Sequence, residues 1–294
     1  MAIDAHKEVK EWVDTVTPEM LYMDLRQKVW GQDKEILKAA TLIFAFFYNL
    51  IYGNGEKYHF LIEGSSGCGK STFAHALKSV VPFPVIIADA SQVTASGYKG
   101  AEASALVDDE SLLQEWCGCG IIILDEIDKL MLGPDQGYHR SAQENFLKML
   151  DGDTVILKDE THVSCDKLLF IGMGAFTEQR EKRKNPPRCI GFDCGCESKV
   201  YQPPYLTKEE LVQAGCSEQL LGRFMTVLHF KPLSRKVLER AVKEAVSEVT
   251  KICGYVQLSN TEVRAIIQKA MTSDFGCRSI RSAVWERCLD RLSA

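Results

Sequence analysis

Short, largely apolar runs alternate along this chain with longer stretches in which apolar positions recur at helical spacing. The runs lie at residues 60–62 (Phe60, Leu61, Ile62), 84–88, 121–124 (Ile121, Ile122, Ile123, Leu124), 168–173 and 227–230. Such runs predict strands buried on both faces, as in a parallel sheet covered by helices. Helical spacing is predicted over 7–28, where Thr17-Pro18 interrupts it: Thr17 caps a helix and Pro18 takes its first position. Further helices are predicted over 36–50, 72–80 and 141–150, the last with Phe146, Leu147 and Leu150 on one side. Polar loops are expected at 91–100 and at 177–207, the second rich in Lys, Arg, Pro, Cys and Gly. Pro232 marks a boundary, and the rest reads as mainly helical with a break at 254–259. The fold class is therefore α/β: a parallel sheet between helices over residues 1–230, then a small, mainly helical domain over 231–294.

Composition narrows the function. The chain has 294 residues, 46% hydrophobic and 26% charged, ordinary for a globular protein with a substantial core. A net charge of −5 argues against a general nucleic-acid binder. The richest apolar run, 41–51, is about half the roughly 20 residues that cross a bilayer. The N-terminus lacks a signal-peptide core, so the expected location is the cytoplasm. There the eleven cysteines are expected to be free thiols rather than a disulfide framework. Cys189, Cys194 and Cys196, with Cys216, raise the question of zinc, but C-x4-C-x-C without a paired C-x2-C is not a usual zinc knuckle.

The first apolar run leads into Gly64-Ser65-Ser66-Gly67-Cys68-Gly69-Lys70-Ser71, the Walker A pattern G-x-x-x-x-G-K-S, and Thr72 continues into a helix. A strand, a glycine loop and a helix in that order form a phosphate cradle, with the helix dipole adding positive charge. Lys70 is suited to the β- and γ-phosphates of a nucleoside triphosphate and the Ser71 hydroxyl to Mg²⁺. Cys68 inside the loop exposes the cradle to alkylation or oxidation. The third strand ends in Asp125-Glu126. Asp125 is placed to hold Mg²⁺ and Glu126 to polarise a water for attack on the γ-phosphate, which favours hydrolysis over a P-loop kinase.

With these residues in place, the chain resembles the AAA+ ATPases, and within them the ClpX family of Clp-protease unfoldases, with the HslU type further off. The resemblance runs from about residue 17 to the C-terminus and implies a AAA+ P-loop domain followed by a small helical one. Val29-Trp30-Gly31-Gln32 resembles the adenine-side motif. Gly97-Tyr98-Lys99-Gly100 resembles the pore loop, where the family carries Gly-Tyr-Val-Gly. The segment 170–176 resembles the surroundings of sensor 1. Leu221-Gly222-Arg223 matches the Ile-Gly-Arg of the arginine finger, and the segment 276–282 resembles the sensor 2 helix start, with Arg278 at the phosphates. Ile190-Gly191-Phe192 matches the tripeptide with which ClpX docks on the ClpP peptidase ring.

The resemblance implies ATP and Mg²⁺ as cofactors, a hexameric ring with Arg223 acting in trans, and protein substrates gripped by Tyr98. It also implies docking of Ile190, Gly191 and Phe192 on a ClpP-type peptidase, and no membrane partner. The chain departs from the family in three places. The family's zinc-binding N-terminal domain is expected to be missing, the basic pore-entrance loop is reduced to 154–165, and Gly172, Met173 and Gly174 offer no polar side chain at sensor 1. The competing class is a AAA+ ATPase that remodels a specific protein or nucleoprotein complex without a peptidase.

Overall fold

The computed structural model describes residues 4–92, 103–132, 137–184, 205–254, 257–272 and 276–292. In chain order the elements are α1 (Ala5–Thr15), α2 (Pro18–Lys28), α3 (Asp33–Tyr52), β1 (Phe60–Gly64), α4 (Lys70–Val80), β2 (Val85–Asp89) and β3 (Gly120–Asp125). Next come α5 (Ile127–Met131), α6 (Gly137–Asp151), β4 (Thr154–Ile156), β5 (His162–Ser164), β6 (Leu168–Gly174) and α7 (Thr177–Lys184). The chain continues with α8 (Lys208–Gln213), α9 (Glu218–Arg223), β7 (Thr226–Phe230), α10 (Arg235–Cys253), α11 (Asn260–Thr272) and α12 (Arg278–Leu292). They group into two compact units.

The first unit comprises Met1–Thr17, Thr41–Glu63 and Val81–His229. Its sheet has the order β2-β3-β6-β1-β7. The β2–β3, β3–β6 and β6–β1 pairs are parallel, as the continuous apolar runs predict. The register sets Ile122 between Ile86 and Phe170, and Asp125 beside Asp89 at the strand ends. Every residue of β1 and β6 is buried. On one side Trp12 packs edge-on against Phe47 and Phe83, with ring centroids 5.8 and 5.2 Å apart. Each fully buried aromatic of this kind contributes roughly 1.5–3 kcal/mol of transfer free energy.

Two expectations are corrected here. The helix containing the run 41–51 extends over Asp33–Tyr52, 20 residues long and apolar enough, by length and composition, to cross a membrane. Its residues Ile36, Ala39, Ala40, Ile43, Phe46 and Phe47 are buried within the protein, whereas Tyr48 and Tyr52 are half exposed. The expected loop 177–207 opens instead with helix α7, whose sequence TEQREKRK has no apolar position to announce it. Arg180 holds that helix: its backbone N–H donates to Phe176 O at 3.0 Å and its guanidinium pairs with Glu63. The reduced loop 154–165 is a hairpin in which β4 and β5 pair antiparallel, Val155 opposite Val163.

The second unit comprises Pro18–Ala40, Gly64–Val80 and Phe230–Ala294. Helices α10, α11 and α12 share a core of Leu238, Val242, Val249, Ile267, Ile280 and Val284. Helix α2 lies along α4, where Lys28 Nζ donates to Ser79 Oγ at 2.6 Å. These compact units cut across the chain-order division at residue 230, because the segments 18–40 and 64–80 fold with the C-terminal helices. The Gln32 side chain makes part of that connection: its Nε2 donates to Cys68 O (3.0 Å) and Lys231 O (2.7 Å), and its Oε1 accepts from the Lys231 N–H (3.0 Å).

Candidate active site

The glycine loop runs from Gly64 into α4, and its backbone is left-handed at Gly67 (φ 71°) and Gly69 (φ 108°). Lys70, 9% exposed, donates from Nζ to Gly64 O (2.6 Å) and Ser65 O (3.1 Å), so its ammonium is folded over the loop. The first turn of α4 carries no acidic residue. Arg278, the first residue of α12, donates from Nη2 to Ser71 Oγ at 3.3 Å. Two cations and one hydroxyl thus gather at a helix N-terminus free of carboxylates, a donor set that fits a polyphosphate and its magnesium. Gly276 fixes how closely this corner packs: its φ is +48°, and a Cβ there would meet Gly67 Cα, Gly67 O and Ser66 O at 3.2 Å each. Thr72 lies in the first turn of α4.

On the adenine-side segment, Val29 is buried and lies 3.9 Å from where a Cβ on Gly69 would stand. Trp30 donates its indole N–H to Gln27 O (3.0 Å), and the Arg240 guanidinium stacks 3.9 Å from its ring centroid. Cys68 is 1% exposed, which corrects the expectation of a thiol open to alkylation. A Cβ on Gly64 would crowd its Sγ at 2.7 Å, showing how tightly the sulfur is enclosed.

The acidic pair belongs to the first unit. Asp125 ends β3, and its Oδ1 accepts the Glu126 backbone N–H at 3.0 Å. Glu126 sits in the left-handed region (φ 55°, ψ 35°) as the N-cap of α5. A non-glycine residue held there costs on the order of 1 kcal/mol and is common where a side chain is aimed for function. The neighbouring strand is tied to the same corner: Asp128 Oδ2 accepts from the Phe176 N–H (3.2 Å), and Phe176 is itself left-handed at φ 47°. Gly172 offers no polar group because none fits: a Cβ would stand 2.6 Å from Leu61 Cδ2 and 3.1 Å from Ile127 Cγ1.

Arg223 ends α9 and forms a two-bond ion pair with Asp151, Nε to Oδ1 and Nη2 to Oδ2, the second at 3.1 Å. That hydrogen bond and the Asp151 charge raise the Arg223 pKa. Sequence reasoning missed Asp151, and it missed a second cluster around Glu63. Glu63 is 1% exposed at the end of β1, paired with Arg180 through Oε2 and with His229 Nδ1 through Oε1 at 3.1 Å. Tyr205 stacks on His229 with centroids 4.0 Å apart. The available signal was a lone carboxylate closing an apolar strand, since a buried charge needs partners. Asp128 was missed as well, and Gln32 was read only as part of the adenine-side segment.

The structure therefore brings Gly64 to Thr72, Val29, Trp30 and Arg278 together in one unit and places Asp125, Glu126 and Arg223 in the other. Gly97, Tyr98, Lys99, Gly100, Ile190, Gly191 and Phe192 lie outside the described residues, as do Cys189, Cys194 and Cys196. Among the described residues no cluster of His, Cys, Asp and Glu could hold a metal by itself.

Comparison with known proteins identifies the family. The AAA domain (Cdc48 subfamily) matches residues 55–227. The ClpX 3 ATP-binding subunit of the ATP-dependent Clp protease of Methylococcus capsulatus is 27% identical over 91% of this chain and 74% of its own length. ClpX 2 of Wolinella succinogenes is 26% identical, covering 92% and 75%, and ClpX of Porphyromonas gingivalis 23% identical, covering 97% and 76%. The family match spans more than half of the sequence, and the ClpX relatives align with most of it: this chain is a ClpX-like ATPase that belongs to the AAA family.

Proposed function

We propose that this ATPase is a protein unfoldase and translocase that works as a hexameric ring in the cytoplasm and feeds polypeptides to a ClpP-type peptidase. The observation that carries the reading is the Arg278–Ser71 bond, because it ties the first turn of a C-terminal helix to the cradle. A motor needs a group that senses the phosphates, and Arg278 is that group in this reading. In functional terms residues 1–230 act as the large nucleotide-binding domain and 231–294 as the small one.

ATP binds with its phosphates over the loop from Gly64 to Ser71, and Val29 and Trp30 flank the base. Lys70 leaves the carbonyls of Gly64 and Ser65 to bond β- and γ-phosphate oxygens. Ser71 and Asp125 would be the residues to hold magnesium, which would supply positive charge against that of the phosphates. Glu126 orients a water and takes its proton. Arg278 contacts the phosphates of its own subunit, and Arg223 those of a neighbour. Tyr98, flanked by Gly97, Lys99 and Gly100, grips the substrate in the pore, its ring supplying contact area that does not depend on substrate sequence. Ile190, Gly191 and Phe192 dock on the peptidase.

The test measures ATP binding, ATP hydrolysis and unfolding of a tagged fluorescent protein for the unaltered chain, Glu126→Gln and Tyr98→Ala. Glu126→Gln is expected to bind ATP and neither hydrolyse nor unfold; Tyr98→Ala is expected to hydrolyse and lose most unfolding. Normal unfolding by Tyr98→Ala overturns the pore assignment. Co-purification with a ClpP-type peptidase, lost in Phe192→Ala, checks the partner; no complex in either protein favours remodelling without proteolysis.

A further inference from the structure

Asp151 holds Arg223 by one edge only. A guanidinium has five N–H groups in a planar fork, and this carboxylate uses two of them, on Nε and Nη2. Among the described residues the end-on edge, Nη1 with the second hydrogen of Nη2, is left to meet two further oxygens in the same plane. Both backbones that carry the pair are anchored. Arg223 lies between buried Leu221 and fully buried Phe224, whose carbonyl accepts from Lys208 Nζ. Asp151 follows buried Leu150, whose carbonyl is hydrogen-bonded by His59 Nε2 at 3.0 Å. The side chains themselves stay reachable, 43% exposed for Arg223 and 39% for Asp151. A long side chain at an exposed helix end samples many rotamers unless something restrains it, and ordering it on demand is costly.

We propose that Asp151 is a positioning residue for Arg223: it fixes the plane and direction of the guanidinium so that the free edge is presented to a phosphate group outside this subunit. This rests on the reading of Arg223 as a finger acting in trans. Asp151 touches no nucleotide in this account and acts only through the arginine. A planar donor held in advance loses little further freedom when the transition state forms, so the benefit falls on the rate of hydrolysis and not on nucleotide affinity.

The experiment measures kcat and KM for ATP hydrolysis with the full chain carrying Asp151→Asn, Asp151→Glu, Arg223→Ala, or Asp151→Asn with Arg223→Ala. Asp151→Asn is expected to lower kcat about tenfold with KM within about twofold, the pattern of a misplaced catalytic group. Asp151→Glu, which keeps the charge, recovers part of that rate. The double variant is no slower than Arg223→Ala alone, because Asp151 has nothing left to position. An undiminished kcat in Asp151→Asn beside an impaired Arg223→Ala, a loss shared equally by Asn and Glu, or multiplied losses in the double variant overturns the proposal. Full activity of Arg223→Ala overturns the finger reading instead, and so the two failures are told apart.

Discussion

Arg278 Nη2 donates to Ser71 Oγ across 3.3 Å, joining the first turn of α12 to the first turn of α4. An exposed bond of this kind adds little to folding stability, about 0–1 kcal/mol. Its value lies in where it leaves the cation, beside the hydroxyl proposed above to ligate magnesium. Arg278→Ala is therefore expected to melt at nearly the same temperature as the unaltered chain. Its ATP hydrolysis should fall on the order of 10–100-fold, as when a charged transition-state donor is removed. A thermal melt with a steady-state ATPase assay checks both, and unchanged hydrolysis would remove Arg278 from the site.

Gly276 supplies a steric test of the same corner. At φ +48°, with Gly67 Cα, Gly67 O and Ser66 O each 3.2 Å from a new Cβ, alanine must either strain its own backbone or push the loop aside. Gly55 has φ +74° with nothing within 4 Å, so Gly55→Ala carries the backbone strain alone. Both substitutions should destabilise by about 1–2 kcal/mol. Only Gly276→Ala should also weaken binding of a fluorescent ATP analogue, roughly tenfold or about 1.4 kcal/mol. Equal affinities for the two variants would mean that the loop tolerates displacement.

These two arguments show what chain order discloses and what it hides. Strands β1, β3 and β6 were legible because each is a short, largely apolar run, buried throughout in β1 and β6 and as far as Leu124 in β3, which few other structures explain. The cradle and the Asp125-Glu126 pair were legible because their chemistry sits in consecutive residues. Helix α7 was not, since its sequence is polar on every side and it is held by Arg180 reaching Glu63, 117 positions away. Strands β4 and β5 have three residues each, too few for alternation to register, and Ile156 faces outward. Asp151 lies 72 positions from Arg223, and Glu63 lies 166 from His229. The packing of α6 on α9 brings the first pair together and the β1–β7 neighbourhood the second, and no local spacing encodes either.

Thiol chemistry checks how closed the cradle is. Cys68 is 1% exposed, and burial pushes the thiols of Cys119, Cys165 and Cys216 up to about 12. Cys117 is exposed. The thiolate is the reacting form, so buried, high-pKa cysteines are doubly protected. Iodoacetamide labelling of the native chain at neutral pH, mapped by peptide mass spectrometry, should modify Cys117 more than tenfold faster than Cys68, Cys119, Cys165 or Cys216. Comparable rates at Cys68 and Cys117 would show that the loop opens readily in solution.

The last prediction concerns acid. His59 is fully buried between α6 and β6; its Nδ1 accepts the Phe170 N–H at 3.1 Å, so Nε2 carries the proton that goes to Leu150 O at 3.0 Å. One neutral tautomer satisfies both bonds, whereas protonating Nδ1 would set two donors face to face. Burial, opposed by the Leu150 bond and reinforced by Lys57, lowers the pKa from 6.5 to about 4. The folded pKa lies below the unfolded one, so between those values the unfolded chain binds more protons. The stability that neutral His59 protects is complete above about pH 6.5 and drains as pH falls toward 4. Between pH 7 and pH 5 the loss from this group is about 2 kcal/mol. Urea denaturation of the unaltered chain and of His59→Gln at both pH values isolates it, because other acid-sensitive groups are common to the two proteins. The pH-dependent loss should shrink by about that amount in the variant; an identical loss in both would place the proton elsewhere.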